Sequence, residues 1–166
     1  MLEADATSLQ EVFCEVLETL AFMFGDPVDK QGLDTDEPVM EATVSFRGPS
    51  QGSLTMLTPR SVAGELAANV LGVDADDESA AEQARDALGE LMNVTMGRLL
   101  TTLAGTDPVF DLSPPKVSDA SHERWQTFIE AAGTVAFLID DRPVLLQFCN
   151  GSADVTDGAL PLSAEI

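Results

Sequence analysis

Asp86, Glu90, Asn93 and Gly97 are the residues of this chain whose types and spacing could do chemistry. They stand at i, i+4, i+7 and i+11. On an α-helix of 3.6 residues per turn they form one narrow stripe. A carboxylate and a primary amide then sit one turn apart on an outward face. The Asn93 amide offers both a donor and an acceptor, so it can orient a water molecule without taking its proton. Gly97, a poor helix former, flattens the same face. A flattened polar ridge of this kind suggests that another surface approaches it. The plain alternative for Glu90 and Asn93 is a solvated helix face.

The stripe needs a helix beneath it, and the pattern supplies one. Leu88, Leu91, Met92, Leu99 and Leu103 fall on the opposite side as a buried face. Ser79 with Glu82 reads as a capping box, and Gly105 as the stop after Ala104. The acidic run 74–78 before it is a solvated loop that complements the helix N-terminus.

Composition bounds the remaining possibilities. With 166 residues, 45% of them hydrophobic, the chain can bury one substantial core and is expected to form a single domain over 1–166. The ordered core is expected over 8–150 and a frayed tail over 151–166. A formal net charge of −21, from 29 acidic and 8 basic residues, argues against nucleic acid and against anionic membrane surfaces. It fits a partner carrying basic groups, or solubility alone. No apolar run approaches a membrane span, and no basic region precedes an apolar stretch at the N-terminus, so a cytoplasmic protein is expected. Cys14 and Cys149 match no metal or redox spacing and read as reduced core thiols. No cluster at ligand spacing predicts a bound metal. No glycine-rich phosphate loop is present. His122, the one histidine, reads as a surface or capping residue beside Ser121. The six methionines read as core.

Along the chain, Ser8 with Glu11 opens a first helix whose apolar face is Leu9, Val12, Phe13, Val16, Leu17, Leu20 and Phe24, ended by Gly25 and Pro27. The stretch 26–37 reads as an acidic loop. Period-two alternation over 39–46 and a second run over 53–57 predict an antiparallel hairpin across the turn 47–52. A helix begins at Thr58-Pro59, with proline at its first position, and ends at Gly72. Residues 109–112 are strand-like, broken by Ser113-Pro114-Pro115. A short helix over 123–131 points Trp125, Phe128 and Ile129 inward. Two strands, 133–139 and 144–148, read as a central hairpin.

An echo at an offset of 75 residues matches Glu11, Glu15 and Glu18 with Asp86, Glu90 and Asn93, and the apolar positions of the two helices likewise. An ancient duplication and a chance likeness of two amphipathic helices both account for it.

The motif resembles the signature of the CheX/CheC/FliY phosphatases of bacterial chemotaxis: an acidic residue or serine, three residues, glutamate, two residues, asparagine, then a proline some twenty residues on. Here it is Asp86, Glu90 and Asn93, then Pro114 or Pro115, with Gly97 four residues after the asparagine. The resemblance spans roughly residues 8–150. The first helix carries Glu18 where the motif requires asparagine, so a single functional motif remains, as in CheX. Arg98 stands where members often have asparagine, at the edge of the ridge.

The resemblance implies a CheC-like α+β fold: a predominantly antiparallel sheet of about six strands, long helices packed on one face, and internal pseudo-duplication. It implies a phosphorylated CheY-type response regulator as partner, and a homodimer paired through its sheets. The regulator brings its own Mg2+ and lysine, and no cofactor belongs to this chain. Asn93 would orient the attacking water and Glu90 would anchor the regulator's lysine. Asp86, Gly97 and Arg98 would contribute to docking. A non-catalytic module of the same fold, binding a regulator or a flagellar-switch component, is the competing expectation, and a scaffold dimer unrelated to signalling is a third.

Overall fold

The computed structural model describes residues 2–74 and 78–151, without the side chains of 80–82. The elements run α1 (Ala6–Ala21), β1 (Asp26–Val28), β2 (Val39–Arg47), β3 (Gly52–Pro59), α2 (Arg60–Leu71), α3 (Glu78–Ala104), β4 (Asp111–Leu112), β5 (Lys116–Ala120), α4 (His122–Glu130), β6 (Thr134–Ile139) and β7 (Arg142–Asn150).

The cap of α1 lies three residues earlier than Ser8. Asp5 is its N-cap, accepting the Ser8 amide at 2.7 Å. That bond holds the Asp5 carboxyl below the usual aspartate range. The helix also ends early: Phe22 takes a left-handed conformation, φ 56°, before Gly25 is reached. Phe24 is therefore exposed rather than part of the apolar face. Pro59, expected at the first helical position, is instead the N-cap of α2, whose first helical residue is Arg60, and it has no side chain to cap with. The Glu37 carboxylate does that work, accepting from the Ser61 amide at 3.0 Å and its hydroxyl at 2.8 Å. Gly72, φ 75°, ends α2 as expected. The α3 helix includes Ser79 and stops at Gly105, φ 82°. Most of the acidic linker (75–77), the Glu82 side chain of the capping box, and the tail 152–166 lie outside the described residues.

The seven strands form one antiparallel sheet in the order β1-β6-β7-β3-β2-β4, with β5 also paired to β2. The β2–β3 hairpin forms as its alternation predicts, Val39 opposite Pro59 through Phe46 opposite Gly52. The β6–β7 hairpin turns through Asp140 and Asp141, both at positive φ, as a tight two-residue turn demands. β7 is central, while β6 lies one strand in from the edge. Three short edge strands take the count above the expected six. β1 lies in the stretch read as a loop. β4 keeps only Asp111 and Leu112 of the segment 109–112. β5 follows the proline break, in a stretch with no strand expected.

The topology repeats. Each half runs helix, short strand, hairpin, with β4 and α4 added in the second, and the hairpins meet at β3 and β7. The short strands are exchanged: β1 of the first half pairs with β6 of the second, and β5 of the second with β2 of the first.

Alternate residues of the strands feed two cores. Met40, Val44, Met56, Phe137, Val144 and Leu146 join α1, α2 and α3 on one face, where Phe13 and Phe137 approach to 4.8 Å between ring centroids. Val39, Leu57, Ala136 and Leu145 face α4, which buries Trp125 and Phe128; Ile129 is half-buried beside them. The long helices thus share one face and the short α4 takes the other. Met23, Met40, Met56, Met92 and Met96 are all buried.

At Gly52 the two halves press tightly together. A Cβ there would stand 2.2 Å from the Cys149 carbonyl oxygen and 2.9 Å from the Phe46 ring. Gly52→Ala is expected to cost about 2 kcal/mol or more, as overpacking does. Urea unfolding should show a lower midpoint at an unchanged slope; an unaltered midpoint would contradict this packing.

Candidate functional site on the third helix

α3 buries Leu88, Leu91, Met92, Thr95, Met96 and Leu99 completely, with Leu103 partly covered. The 3.6-residue period then turns Asp86, Glu90, Asn93 and Gly97 to the surface. Asp86 and Glu90 are exposed, while Asn93 and Gly97 are half-buried. Among the described residues, neither carboxylate nor the amide has a side-chain hydrogen-bond or ion-pair partner. A Cβ on Gly97 would meet nothing within 4 Å, so that turn of the ridge opens onto free space.

The ridge has two borders. On one side Pro115 lies against α3 beside Glu90: a Cβ on Gly89 would meet its Cγ at 3.0 Å and its Cβ at 3.4 Å. Of the two prolines the motif left open, Pro115 is thus the one seated on the helix, and Pro114 is exposed. The segment is pinned by Ser113, whose amide donates to the Ser45 carbonyl at 2.9 Å and whose Oγ accepts the Ser45 amide at 2.9 Å. Arg85 of α3 donates to the Val117 carbonyl at 2.8 Å and ties the helix to β5. On the other side Arg98 reaches α1, its Nη2 lying 2.8 Å from Glu15 Oε1. All five predicted residues therefore lie on or beside one helix surface.

The other candidates stand apart. His122 is the first residue of α4, within 3.4 Å of Asp34 and 3.3 Å of Gln126. Cys14 and Cys149 are half-buried rather than core. Burial first, then Asp26 and Glu18, push the Cys14 thiol up. Sequence reasoning missed the seat of Pro115 on Gly89 and the bond from Arg98 to Glu15. Gly89 carried a signal, since a glycine inside a helix needs a reason such as close approach.

A family model described as "Chemotaxis phosphatase CheX" matches residues 40–131, more than half of the chain and all of α3. The chain belongs to the CheX family. No curated protein matches it in sequence. Solved CheX structures share its fold. That of Desulfovibrio desulfuricans has a TM-score of 0.64 at 20% identity, covering 88% of this chain and 98% of its own. CheX of Vibrio vulnificus gives 0.64 at 20%, covering 88% and 95%. CheX of Borrelia burgdorferi, solved as a CheX–CheY–BeF3–Mg2+ complex, gives 0.63 at 21%, covering 89% and 97%. CheC-like proteins of Shewanella have the same fold. Among the described residues, no helix is long and apolar enough to cross a membrane.

A branched side chain at 89 has no room beside Pro115. Gly89→Val is expected to keep the helix but lift the 113–115 segment. Hydrogen exchange at the Ser113 amide should then rise about tenfold or more while the β3–β7 amides stay protected. Unchanged exchange at Ser113 would show that Pro115 is not seated on the helix.

Proposed function

We propose that this protein accelerates hydrolysis of the phosphoaspartate of a CheY-type response regulator. The observation that carries the reading is the half-buried Asn93 amide one turn from the exposed Glu90 carboxylate, both without a side-chain partner among the described residues, on the helix of a CheX-family chain. The Borrelia CheX solved with CheY, BeF3 and Mg2+ supports the partner class and the metal's place on that partner.

The chemistry follows from the groups. Hydrolysis of an acyl phosphate needs a water in line with the scissile bond and neutralised charge around the phosphoryl oxygens. The regulator supplies Mg2+ and a lysine for the second requirement. Asn93 meets the first: its amide accepts from and donates to the water, aiming a lone pair at phosphorus. The water oxygen bonds to phosphorus, the bond to the aspartyl oxygen breaks, and the proton leaves with inorganic phosphate. Glu90 pairs with the regulator's lysine and fixes the register of docking. Asp86 and Arg98 border the contact, and Gly97 lets the partner's backbone approach. A homodimer joined through the sheets completes the proposal.

The Arg98–Glu15 pair beside the ridge favours a second reading, a module that binds the regulator without hydrolysing its phosphate. One experiment separates the two. CheY-type regulators of the same organism are charged with acetyl phosphate and phosphate release is followed. Asn93→Ala should reduce kcat by about a hundredfold or more, to the regulator's own rate, with the fold unchanged by circular dichroism. Glu90→Gln should raise KM more than it lowers kcat. A wild-type protein that binds the charged regulator without shortening its lifetime would select the binding module. Asn93→Ala with full turnover would remove the catalytic assignment.

A further inference from the structure

The two borders of the ridge differ in kind. Pro115 makes one apolar and rigid. The other carries the ion pair of Arg98 with Glu15, both about half exposed. A pair so exposed contributes little to stability. Phe13, Val16, Leu88 and Leu91, all buried, hold α1 and α3 in a common core without it. Its consequence is therefore local charge rather than cohesion.

That charge stands in a sensitive place. Arg98 follows Gly97 directly, where the ridge is open to approach. The two helices around it carry exposed acids, Glu11, Glu15 and Glu18 along α1 and Asp86 and Glu90 along α3. The surface thus presents negative charge to a partner's cation, and a bare guanidinium at its border would repel that cation. Glu15 cancels it. Glu15 also occupies in α1 the place that Glu90 holds in α3, at the offset of 75 residues. The glutamate of the half that lacks the asparagine is the counter-ion of a residue of the half that has it.

We infer that Glu15 is a positioning residue for docking: by binding the Arg98 guanidinium on α1 it keeps positive charge off the ridge and leaves Asp86 and Glu90 to receive a basic partner surface. The inference rests on the reading that the ridge meets a response regulator. It goes further in assigning a role to the first helix.

The test uses the full chain and a CheY-type regulator of the same organism, held in its charged form by beryllofluoride and Mg2+ for binding and by acetyl phosphate for turnover. Glu15→Gln should bind the regulator about threefold more weakly at low ionic strength, the size expected of one partly screened charge. KM should rise with kcat unchanged. The difference should vanish near ~0.5 M salt, where the screening length is only a few ångströms. Adding Arg98→Gln to that variant should bring the affinity back. A structural role alone would lower the melting temperature and show neither the salt dependence nor the recovery. Glu15→Gln binding as wild type overturns the inference, as does tighter binding, which would mean that the Arg98 charge attracts the partner. Asn93→Ala separates the two readings. If it keeps full turnover, the catalytic assignment fails while the affinity series still decides Glu15. If the wild type binds no charged regulator, both fall.

Discussion

Antiparallel pairing of β3 with β7 is the constraint on which the rest of the molecule depends. The register runs from Gly52 opposite Asn150 to Leu57 opposite Leu145 and joins two hairpins into one sheet. Each half then lends its short strand to the other, so neither can complete its edges alone. Exchange of this kind ties the halves through backbone hydrogen bonds as well as through side chains. It also decides where the helices go. With Met40, Met56, Phe137 and Leu146 on one face, α1 and α3 must both bury their apolar sides there and lie side by side.

The ridge on α3 is a consequence of that burial. A helix laid on a sheet hides one side and leaves the other to solvent. What distinguishes α3 is how firmly it is held: six side chains of its central turns are wholly buried, Arg85 binds β5, and Pro115 abuts Gly89. A side chain on so fixed a helix has few places to be, and half-burial restricts Asn93 further. In the proposed reaction, an amide holding one water at one angle gains from such restriction, because the ordering is done during folding rather than at the moment of reaction.

Legibility in the sequence followed how local the cause was. The β2–β3 hairpin, the end of α2 at Gly72 and the stripe on α3 each depend on the period of neighbouring residues, and each was readable. Asp5 and Ser8 are both capping residues, and choosing between them required the folded geometry of the first turn. Phe22 ends α1 in a left-handed conformation that an aromatic residue seldom signals, with Gly25 offering a more conventional stop three residues on. β1 has three residues, one of them proline, and exists because β6 is there to receive it. β5 is an exposed edge carrying Lys116 and Asp119, with no apolar alternation to mark it. For the candidate site, the helical spacing was enough to put five residues on one surface. It could not show that Pro115 rather than Pro114 touches the helix, nor that Arg98 turns to α1, since both are contacts between distant segments.

The near symmetry of the two halves makes their difference informative. α1 presents Glu11, Glu15 and Glu18 along the same kind of stripe as Asp86, Glu90 and Asn93, exposed on the same face of the sheet. A carboxylate at position 18 only accepts hydrogen bonds. It would turn a water's hydrogens toward itself but offer no donor to fix the molecule's rotation. It would also set a second negative charge against an incoming phosphoryl group, whose oxygens already need neutralising. One amide replaced by one acid is therefore sufficient to disqualify α1 from the proposed chemistry while leaving its packing untouched, because the changed side chain lies wholly on the outer stripe. On the proposed reading the α1 stripe meets no phosphoryl group, so its glutamates can serve other partners, as Glu15 does in its ion pair with Arg98.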